Sequence, residues 1–519
     1  MWDFLRTFIV LEKKYNLGSF VTQFLSHLVL GLSLTLLHIS FAVANVESLS
    51  TTTQGDAISM PLVSLSDEPL PSSVRGALCI VRNNDRILLV SEIVTGKLSL
   101  PGGAIENNEN PRLAAQRETW EEAGLVVNVG SELLRTRTAV FYDCDAESDV
   151  IAYKENNTGI GVELPIYFAP HYGVEVRSAR FVAPNAITPS DYRYPKQWPQ
   201  VVAVLYNASH QPVQYVDNLI SAAPKLHQIE LGWLLSAQEA VIDAPIWLRD
   251  IIIIGGRILQ VLIQPLLLVS FLPLFIWLWG RYFTAQLVFA VTATSLFILV
   301  AKQGFAFPVP HAYIPSINFT ERSGYSFPDL YLANWVCISS IVITQIKQQL
   351  VRVFAVGAIV LTAVLAFYQF ISGASFLSDM LAGALLGALV SWHFIRHYLS
   401  IAVSEDYTFT KVALWLIMTA VAGTISMIWP YPMFLSWLAL TLGMLLFAIA
   451  SKFCAPRSVM CLKELLCSLS ITLVLLVGYF SVEAQISYSG IGSLLLHTAV
   501  LPIMVAVPAL VMLVFRLRR

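Results

Sequence analysis

Residues 103 to 125 read GAIENNENPRLAAQRETWEEAGL, and within them Glu118, Glu121 and Glu122 stand at i, i+3 and i+4. On a helix that spacing puts three carboxylates on one face, where each like-charge pair costs roughly 0.2–0.5 kcal/mol. A divalent cation would reverse the cost, because hard cations such as Mg2+ and Mn2+ take carboxylate oxygens. A solvated acidic face explains the spacing alone more simply, so the neighbouring residues decide.

The element that would carry these side chains has marked ends. Asn110 is suited to cap a helix that accepts Pro111 in its first turn, and Gly124 suits the position just past the end, which predicts a helix over 111–123. The whole segment resembles the box of the Nudix hydrolases, Gly-x5-Glu-x7-Arg-Glu-U-x-Glu-Glu-x-Gly-U with U aliphatic. Gly103, Glu109, Arg117, Glu118, Glu121, Glu122 and Gly124 fill every fixed letter, and Leu125 fills the last aliphatic place. Seven such letters meet by chance with a probability on the order of 10⁻⁹ per starting position. Thr119 is the single departure, at a position expected to pack under the helix.

The resemblance implies an α/β domain, the Nudix α/β/α sandwich, that binds Mg2+ or Mn2+ through Glu118, Glu121 and Glu122. It implies that Glu109 assists, that Arg117 ties loop to helix by pairing with carboxylates, and that the Gly102-Gly103 loop brings backbone carbonyls near the metal. The implied reaction is metal-assisted hydrolysis of a phosphoanhydride, a diphosphate linked to some other group. The box does not name that group. Between 126 and 245 Phe141, Tyr142, Tyr167, Phe168, Tyr172, Tyr192, Tyr194 and Trp198 are candidates to contact it, with core packing the simpler role for most. Glu163 or Glu230 could add the further carboxylate that family members often take from a downstream loop.

A second set of polar residues lies in an apolar setting: Lys302, Asp329 and Asp379, each at or near the end of a long hydrophobic stretch. With Pro310 and Pro328 they resemble the type 2 phosphatidic acid phosphatase superfamily, whose signatures are Lys-x6-Arg-Pro, Pro-Ser-Gly-His and Ser-Arg-x5-His-x3-Asp. Here Val309 replaces the first arginine, Asp329-Leu330-Tyr331 replaces Ser-Gly-His, Gln369 replaces the second arginine and Ser375 the second histidine. In that family the histidines attack phosphorus and protonate the leaving group, and the arginines bind phosphoryl oxygens. The pattern therefore implies a phosphatase-like membrane domain without the usual catalytic histidines. His311 is close in sequence but precedes the second motif.

The composition separates these two sites. Of 519 residues 56% are hydrophobic and only 13% are charged, about half the usual charged share, and most of the charges fall before residue 250. Residues 251–519 carry nine long apolar stretches, at about 258–279, 283–301, 330–346, 353–370, 376–395, 411–429, 433–451, 465–482 and 491–515, which predict nine membrane helices. The organisation expected is a signal peptide or anchor helix over 1–44, a Ser/Thr-rich linker over 45–73, the Nudix domain over 74–247, the phosphatase-like core over 251–395 and additional transmembrane helices over 396–519, for packing or dimerisation. The fold class expected is thus α/β followed by an all-α multi-pass region.

Arg281, Lys347, Arg352, Arg396, Lys411, Lys452, Lys463 and Arg516 fall in alternate loops, which the positive-inside rule assigns to the cytoplasm. The Nudix domain and the loops 302–329, 371–375 and 483–490 then face outward, in a bacterium the periplasm at the inner membrane, with the C-terminus cytoplasmic. A net charge of −2 without a long basic run speaks against nucleic acid as a partner. Cys79 and Cys144 share the soluble half and could pair in an oxidising compartment or remain free core thiols. Three functions are expected to compete: a membrane-bound Nudix hydrolase, a hydrolase of undecaprenyl-type diphosphate or phosphatidic acid, and a membrane domain that binds a lipid phosphate without turning it over. The oligomeric state is open.

Overall fold

The computed structural model describes residues 73–107, 109–155, 160–319, 322–401, 411–453 and 459–517. The expected signal or anchor and nearly all of the linker lie outside these residues. The soluble half contains β1 (Gly76–Ile80), β2 (Arg82–Asn83), β3 (Arg86–Glu92), β4 (Leu98–Ser99), β5 (Gly102–Ala104), α1 (Pro111–Ala123), β6 (Val127–Arg135), β7 (Ala139–Ala146), β8 (Val150–Tyr153), β9 (Val162–Glu163), β10 (Val176–Val182), α2 (Trp198–Val204) and β11 (Val213–Val216). One sheet runs β5-β1-β7-β6, a second runs β2-β3-β10-β9 with β4 beside β3, and β11 pairs with β8.

Alternation along the strands builds two cores. Leu88 and Val90 of β3 join Ala77 and Cys79 of β1 against Ala114 and Ala115 of α1. Ile87 and Leu89 join Leu78, Ile80 and Phe141 against Trp198, Val201 and Leu205 on the opposite side. Successive side chains on a strand point to opposite faces, so strands buried on both faces must be covered by helices on both sides. The result is the expected α/β/α layering. Cys79 and Cys144, on neighbouring strands β1 and β7, are joined in a disulfide with Cα atoms 5.5 Å apart, which resolves the choice between a pair and two free thiols.

The rest is helical: α3 (Lys225–Ile242), α4 (Ile246–Leu262), α5 (Pro265–Ser270), α6 (Leu272–Phe305), α7 (Leu330–Ile343), α8 (Val351–Ile371), α9 (Leu377–Ile401), α10 (Val412–Ile428), α11 (Pro432–Phe453), α12 (Leu462–Ile486) and α13 (Gly490–Leu517). Among the described residues six helices are long and apolar enough to cross a membrane, α6, α8, α9, α11, α12 and α13, while α7 and α10 are shorter apolar helices. The expectation of nine separate spanning helices is corrected at its first member. The stretch 258–279 is divided between α4, α5 and the start of α6, because Pro265 has no N–H for a continuing helix and disfavours helical backbone at Gln264. Within α6 the backbone is non-helical at Gly280, with φ 84°, which separates the end of the first stretch from the start of the second.

The soluble domain is seated on one end of this helical region. Tyr153 Oη donates to Ala312 O at 2.6 Å, Tyr488 Oη donates to Ser190 O at 3.2 Å, and His497 Nε2 lies 3.2 Å from Val94 O. Gly173 approaches Gly324 so closely that a Cβ at 173 would strike its backbone. The loop residues 306–319, 322–329, 372–376 and 487–489 lie at this end. The soluble domain was expected to run to 247, but Leu231 and Leu234 of α3 pack with Tyr313, Ile314 and Leu365 of the helical half. Gln238 Nε2 there donates to Ile317 O at 3.0 Å and Ile371 O at 2.6 Å. By packing, α3 belongs to the base on which the domain sits.

Candidate active site

The box helix forms where its ends are marked. Asn110 accepts from Arg112 N at 2.9 Å, Pro111 opens the first turn, and Gly124, at φ 66°, donates its N–H to Trp120 O at 2.9 Å. Thr119, the one departure from the box, is fully buried and donates its hydroxyl to Ala115 O at 2.7 Å. Its polar atom is satisfied within the helix, so the substitution disturbs only packing.

Arg117 gathers the carboxylates. Its Nε and Nη2 donate to the two oxygens of Glu109 at 3.0 and 3.1 Å, its Nη1 to Glu118 and Glu121 at 2.9 Å each, and Nη2 also to Ala104 O at 3.2 Å. The bidentate pair fixes the loop before α1 to the helix. Glu122 accepts from Gly102 N at 3.0 Å, and a Cβ at Gly103 would collide with the Glu118 carboxylate. Gly102 has φ 150°, so a side chain there would be strained as well as crowded by Ala77 and Leu78. All the box residues, Gly103, Glu109, Arg117, Glu118, Glu121, Glu122, Gly124 and Leu125, are thus held in one local unit with Gly102.

One arginine does not balance four glutamates. Arg117 holds Glu109 below the usual carboxylate range. Burial pushes Glu118 up despite Arg117, and it pushes Glu122 well up, with the charge of Glu118 adding to the shift. Buried carboxylates that are reluctant to ionise are groups that a divalent cation would stabilise in the charged form. The donor set of carboxylate oxygens and nearby backbone suits Mg2+ or Mn2+.

The loop between β9 and β10 adds two residues that sequence reasoning missed. His171 places Nε2 4.0 Å from Glu121 Oε2 and Nδ1 3.3 Å from Glu175 Oε2. Glu118, Glu121 and His171 offer ligand atoms all within 4.8 Å of one another. Glu175 beside the ring holds the imidazole above its ordinary range, and the imidazole holds Glu175 below its own. A lone histidine four residues before a glutamate, in a loop between short strands, gives little warning of this. The further carboxylates considered do not join the site: Glu163 pairs with Arg180 at 3.3 Å, and Glu230 of α3 accepts from Ser378 N at 3.2 Å. Of the aromatic candidates Phe141, Tyr142, Tyr172, Tyr192 and Trp198 are core, whereas Phe168 is 53% exposed and lies 6.2 Å, centroid to centroid, from Trp120.

The polar residues of the helical half also converge, with different partners. Lys302 Nζ donates to Tyr325 O at 2.6 Å and Ser326 O at 3.1 Å. Asp329 caps α7, accepting from Leu332 N at 2.7 Å, and Pro328 precedes it. Asp379 accepts from Ser326 Oγ and faces His227 Nε2 at 3.7 Å. Pro310 opens a single 3-10 turn, and His311 in that turn places Nδ1 2.9 Å from Gly373 O. Two basic residues absent from the sequence signatures complete the centre. His227 of α3 stacks on Phe376 at 3.8 Å, and Arg322 donates to Gln369 Oε1 at 2.8 Å while lying 3.9 Å from Asp329 Oδ2. His227 comes from a segment remote in sequence, and Arg322, seven residues before Asp329, reaches Gln369 of α8 through tertiary packing, so no spacing rule points to them. Among the described residues, His227 Nδ1, Asp379 Oδ1, Arg322 Nε and Nη2, Gln369 Nε2 and the hydroxyls of Ser375 and Ser378 are buried without a hydrogen-bond partner. Elsewhere in the helical half an apolar cavity of about 320 Å³ is lined by Leu259, Pro265, Phe271, Trp335, Leu361 and Trp437 among others.

Residues 72–202 match the family model described as the NUDIX domain. A relative, the MutT-like protein of Streptomyces ambofaciens, is 34% identical over 119 residues, 23% of this chain and 66% of its own length, so the chain spans just under two thirds of that relative. Two solved structures are similar: an ADP-ribose pyrophosphatase from Streptococcus suis at 20% identity, covering 27% of this chain and 97% of its own with a TM-score of 0.19, and a NUDIX hydrolase from Nitrosomonas europaea at 19% identity, covering 27% and 78%, also with a TM-score of 0.19. The matched stretch holds the entire box with its capped helix, its arginine clamp and its glycine loop. Residues 72–202 of this chain are a NUDIX domain.

Proposed function

We propose that this protein is a membrane-bound hydrolase in which the NUDIX domain, aided by Mg2+ or Mn2+, cleaves a phosphoanhydride linking phosphate to another moiety. The single observation that carries the reading is the convergence of Glu109, Glu118 and Glu121 around Arg117, with Glu122 beside them on the Gly102 N–H and burial working against the charge of Glu118 and Glu122. When bound, the ion would neutralise diphosphate oxygens and lower the pKa of the attacking water. Glu118, Glu121 and Glu122 would hold it, and Glu109 would act through Arg117, fixing its direction. Gly102 and Gly103, lacking side chains beside Leu78 and the Glu118 carboxylate, would let backbone carbonyls come near the ion. In the reaction a water oxygen bonds to phosphorus, the bridging P–O bond breaks, and the water proton passes to a carboxylate of this group. A substrate panel assayed with the full chain in Mg2+ and Mn2+, with the Glu121→Gln variant alongside, tests the reading. Equal turnover of every anhydride by both proteins would refute it.

The domain is read as facing the outside of the membrane, the periplasm of a bacterial inner membrane, with the C-terminus in the cytoplasm. Support comes from the positive residues in alternate loops and from the Cys79–Cys144 bond, which suits an oxidising compartment. A reporter after Arg519 should be active only in its cytoplasmic form, and one near Thr52 only in its external form.

A second reading is favoured by the buried centre around Lys302, Arg322, Asp329, Asp379 and His227. On this reading the helical half is a phosphatase-like domain that retains a lipid phosphate rather than hydrolysing it. The Arg322 and Gln369 donors that have no hydrogen-bond partner among the described residues support a polar ligand, and the apolar cavity of the helical half supports a hydrocarbon tail. The NUDIX domain above would then receive a lipid diphosphate from the membrane. A prenyl diphosphate and a nucleoside diphosphate derivative assayed side by side separate the lipid from the soluble substrate class.

A further inference from the structure

We propose, resting on the metal-hydrolase reading above, that His171 is an additional metal ligand, giving an imidazole nitrogen to the ion held by Glu118 and Glu121, with Glu175 orienting the ring from behind. The loop carrying His171 is fixed to the box helix. His171 N donates to Glu121 O at 2.8 Å, and His171 O accepts from the backbone N–H groups of Val174, Glu175 and Val176 at 3.2, 3.0 and 3.1 Å. The ring therefore stands over the acidic face on a backbone tied to that same face. Two ligands on one ion, each at about 2.0–2.2 Å, are separated by at most about 4.4 Å. The 4.0 Å between His171 Nε2 and Glu121 Oε2 lies within that limit. The 4.8 Å that bounds all three ligand atoms needs only a few tenths of an ångström of side-chain adjustment.

The other side of the ring matches the same role. Glu175 Oε2 lies 3.3 Å from Nδ1, and a carboxylate behind the distal nitrogen keeps the proton there and leaves the Nε2 lone pair for the metal. The alternative is an ion pair between His171 and Glu175 that leaves the ion to carboxylates alone. The two arrangements differ in metal choice, since imidazole favours transition metals whereas an all-oxygen set suits Mg2+. The proposed site would therefore prefer Mn2+ to Mg2+, and His171→Gln would reduce the preference.

The test is pulsed electron paramagnetic resonance on tag-free full chain in detergent, loaded with Mn2+. The expected result is nitrogen modulation of the Mn2+ signal, lost in His171→Gln together with about a 10-fold loss of Mn2+ affinity. Glu175→Gln should keep the modulation while weakening binding. Because the wild-type spectrum alone reports the nitrogen, a variant that failed to fold would not protect the proposal. Mn2+ bound without nitrogen modulation, or modulation that survives in His171→Gln, would overturn the role of His171 and leave the hydrolase reading standing. No Mn2+ bound at millimolar concentration would overturn both.

Discussion

The acidic centre on α1 and the buried centre between α3, α6 and α9 both set carboxylates beside basic side chains, but they are built in opposite ways. The first takes its box residues from one continuous segment and stands at a partly exposed rim, where Glu121 and Arg117 keep 23% and 29% of their side-chain surface open. The second draws on α3, α6, the loop before α7, α8 and α9, and Asp379 within it is fully buried. A site at a rim can exchange an ion and a diphosphate with water. A site closed by five segments depends on those segments staying packed. Its residues therefore bear on packing of the helical base as much as on chemistry, since α3 brings both His227 and Glu230 into that base.

The largest expected effect tests this division. Glu121→Gln should lower anhydride hydrolysis by about 10²–10³-fold, with the melting temperature changing little because the side chain is partly open. Asp379→Asn assayed beside it should keep hydrolysis within a few-fold of the parent. A comparable loss of rate from both variants would show that the two centres work as one.

The next effect is on stability. Asp379→Ala leaves Ser326 and His227 facing an uncompensated space, and breaking a buried polar pair typically costs about 3–5 kcal/mol. The expectation is a lower unfolding midpoint for the helical region in detergent, together with faster proteolysis of the junction near α3. An unchanged midpoint and an unchanged digest would mean that the buried contacts do not hold α3 in the base.

The same contrast explains what could be read in advance. Helix 111–123 is legible from Asn110, Pro111 and Gly124 because caps act within a few residues, and the box is legible because all its chemistry sits on that helix and its preceding loop. His171 enters through backbone bonds between a loop and the box helix, which no periodicity encodes. Lys302 and Asp379 stand out as charges in apolar stretches, but His227 beside Asp379 and Arg322 on Gln369 are set by tertiary packing. Lys302 itself spends its donors on two carbonyls, a use that its position in a motif could not reveal. The broken helix at Gln264-Pro265 was hidden for another reason, since hydropathy averages over a window and passes across a single proline.

The disulfide belongs to the soluble side of the comparison. Removing it by Cys79→Ala with Cys144→Ala should cost about 2–4 kcal/mol in the soluble domain and leave the helical base unaffected. Thiol labelling of denatured protein before and after reduction should differ by two groups. Equal labelling would place both cysteines in a reducing compartment and count against the outward orientation.

The smallest effect concerns the charge of the acidic centre without its ion. The folded pKa values of Glu118 and Glu122 are raised above the ordinary 4.5 by burial, so the folded state binds protons that the unfolded state has already released. Their contribution to stability is complete below pH 4.5 and is lost as pH rises through the folded values. With a chelator present, the unfolding midpoint of the soluble domain should therefore fall across this window. Mg2+ at about ten times its dissociation constant should restore roughly 1.4 kcal/mol, and more fully at higher pH, because the ion binds the deprotonated carboxylates. Melts of the full chain in detergent, with chelator or Mg2+ across pH 4–8, measure both slopes. A midpoint that rises with pH under chelator would show that Arg117 alone outweighs the burial of these carboxylates, and the acidic centre would then be balanced without a metal.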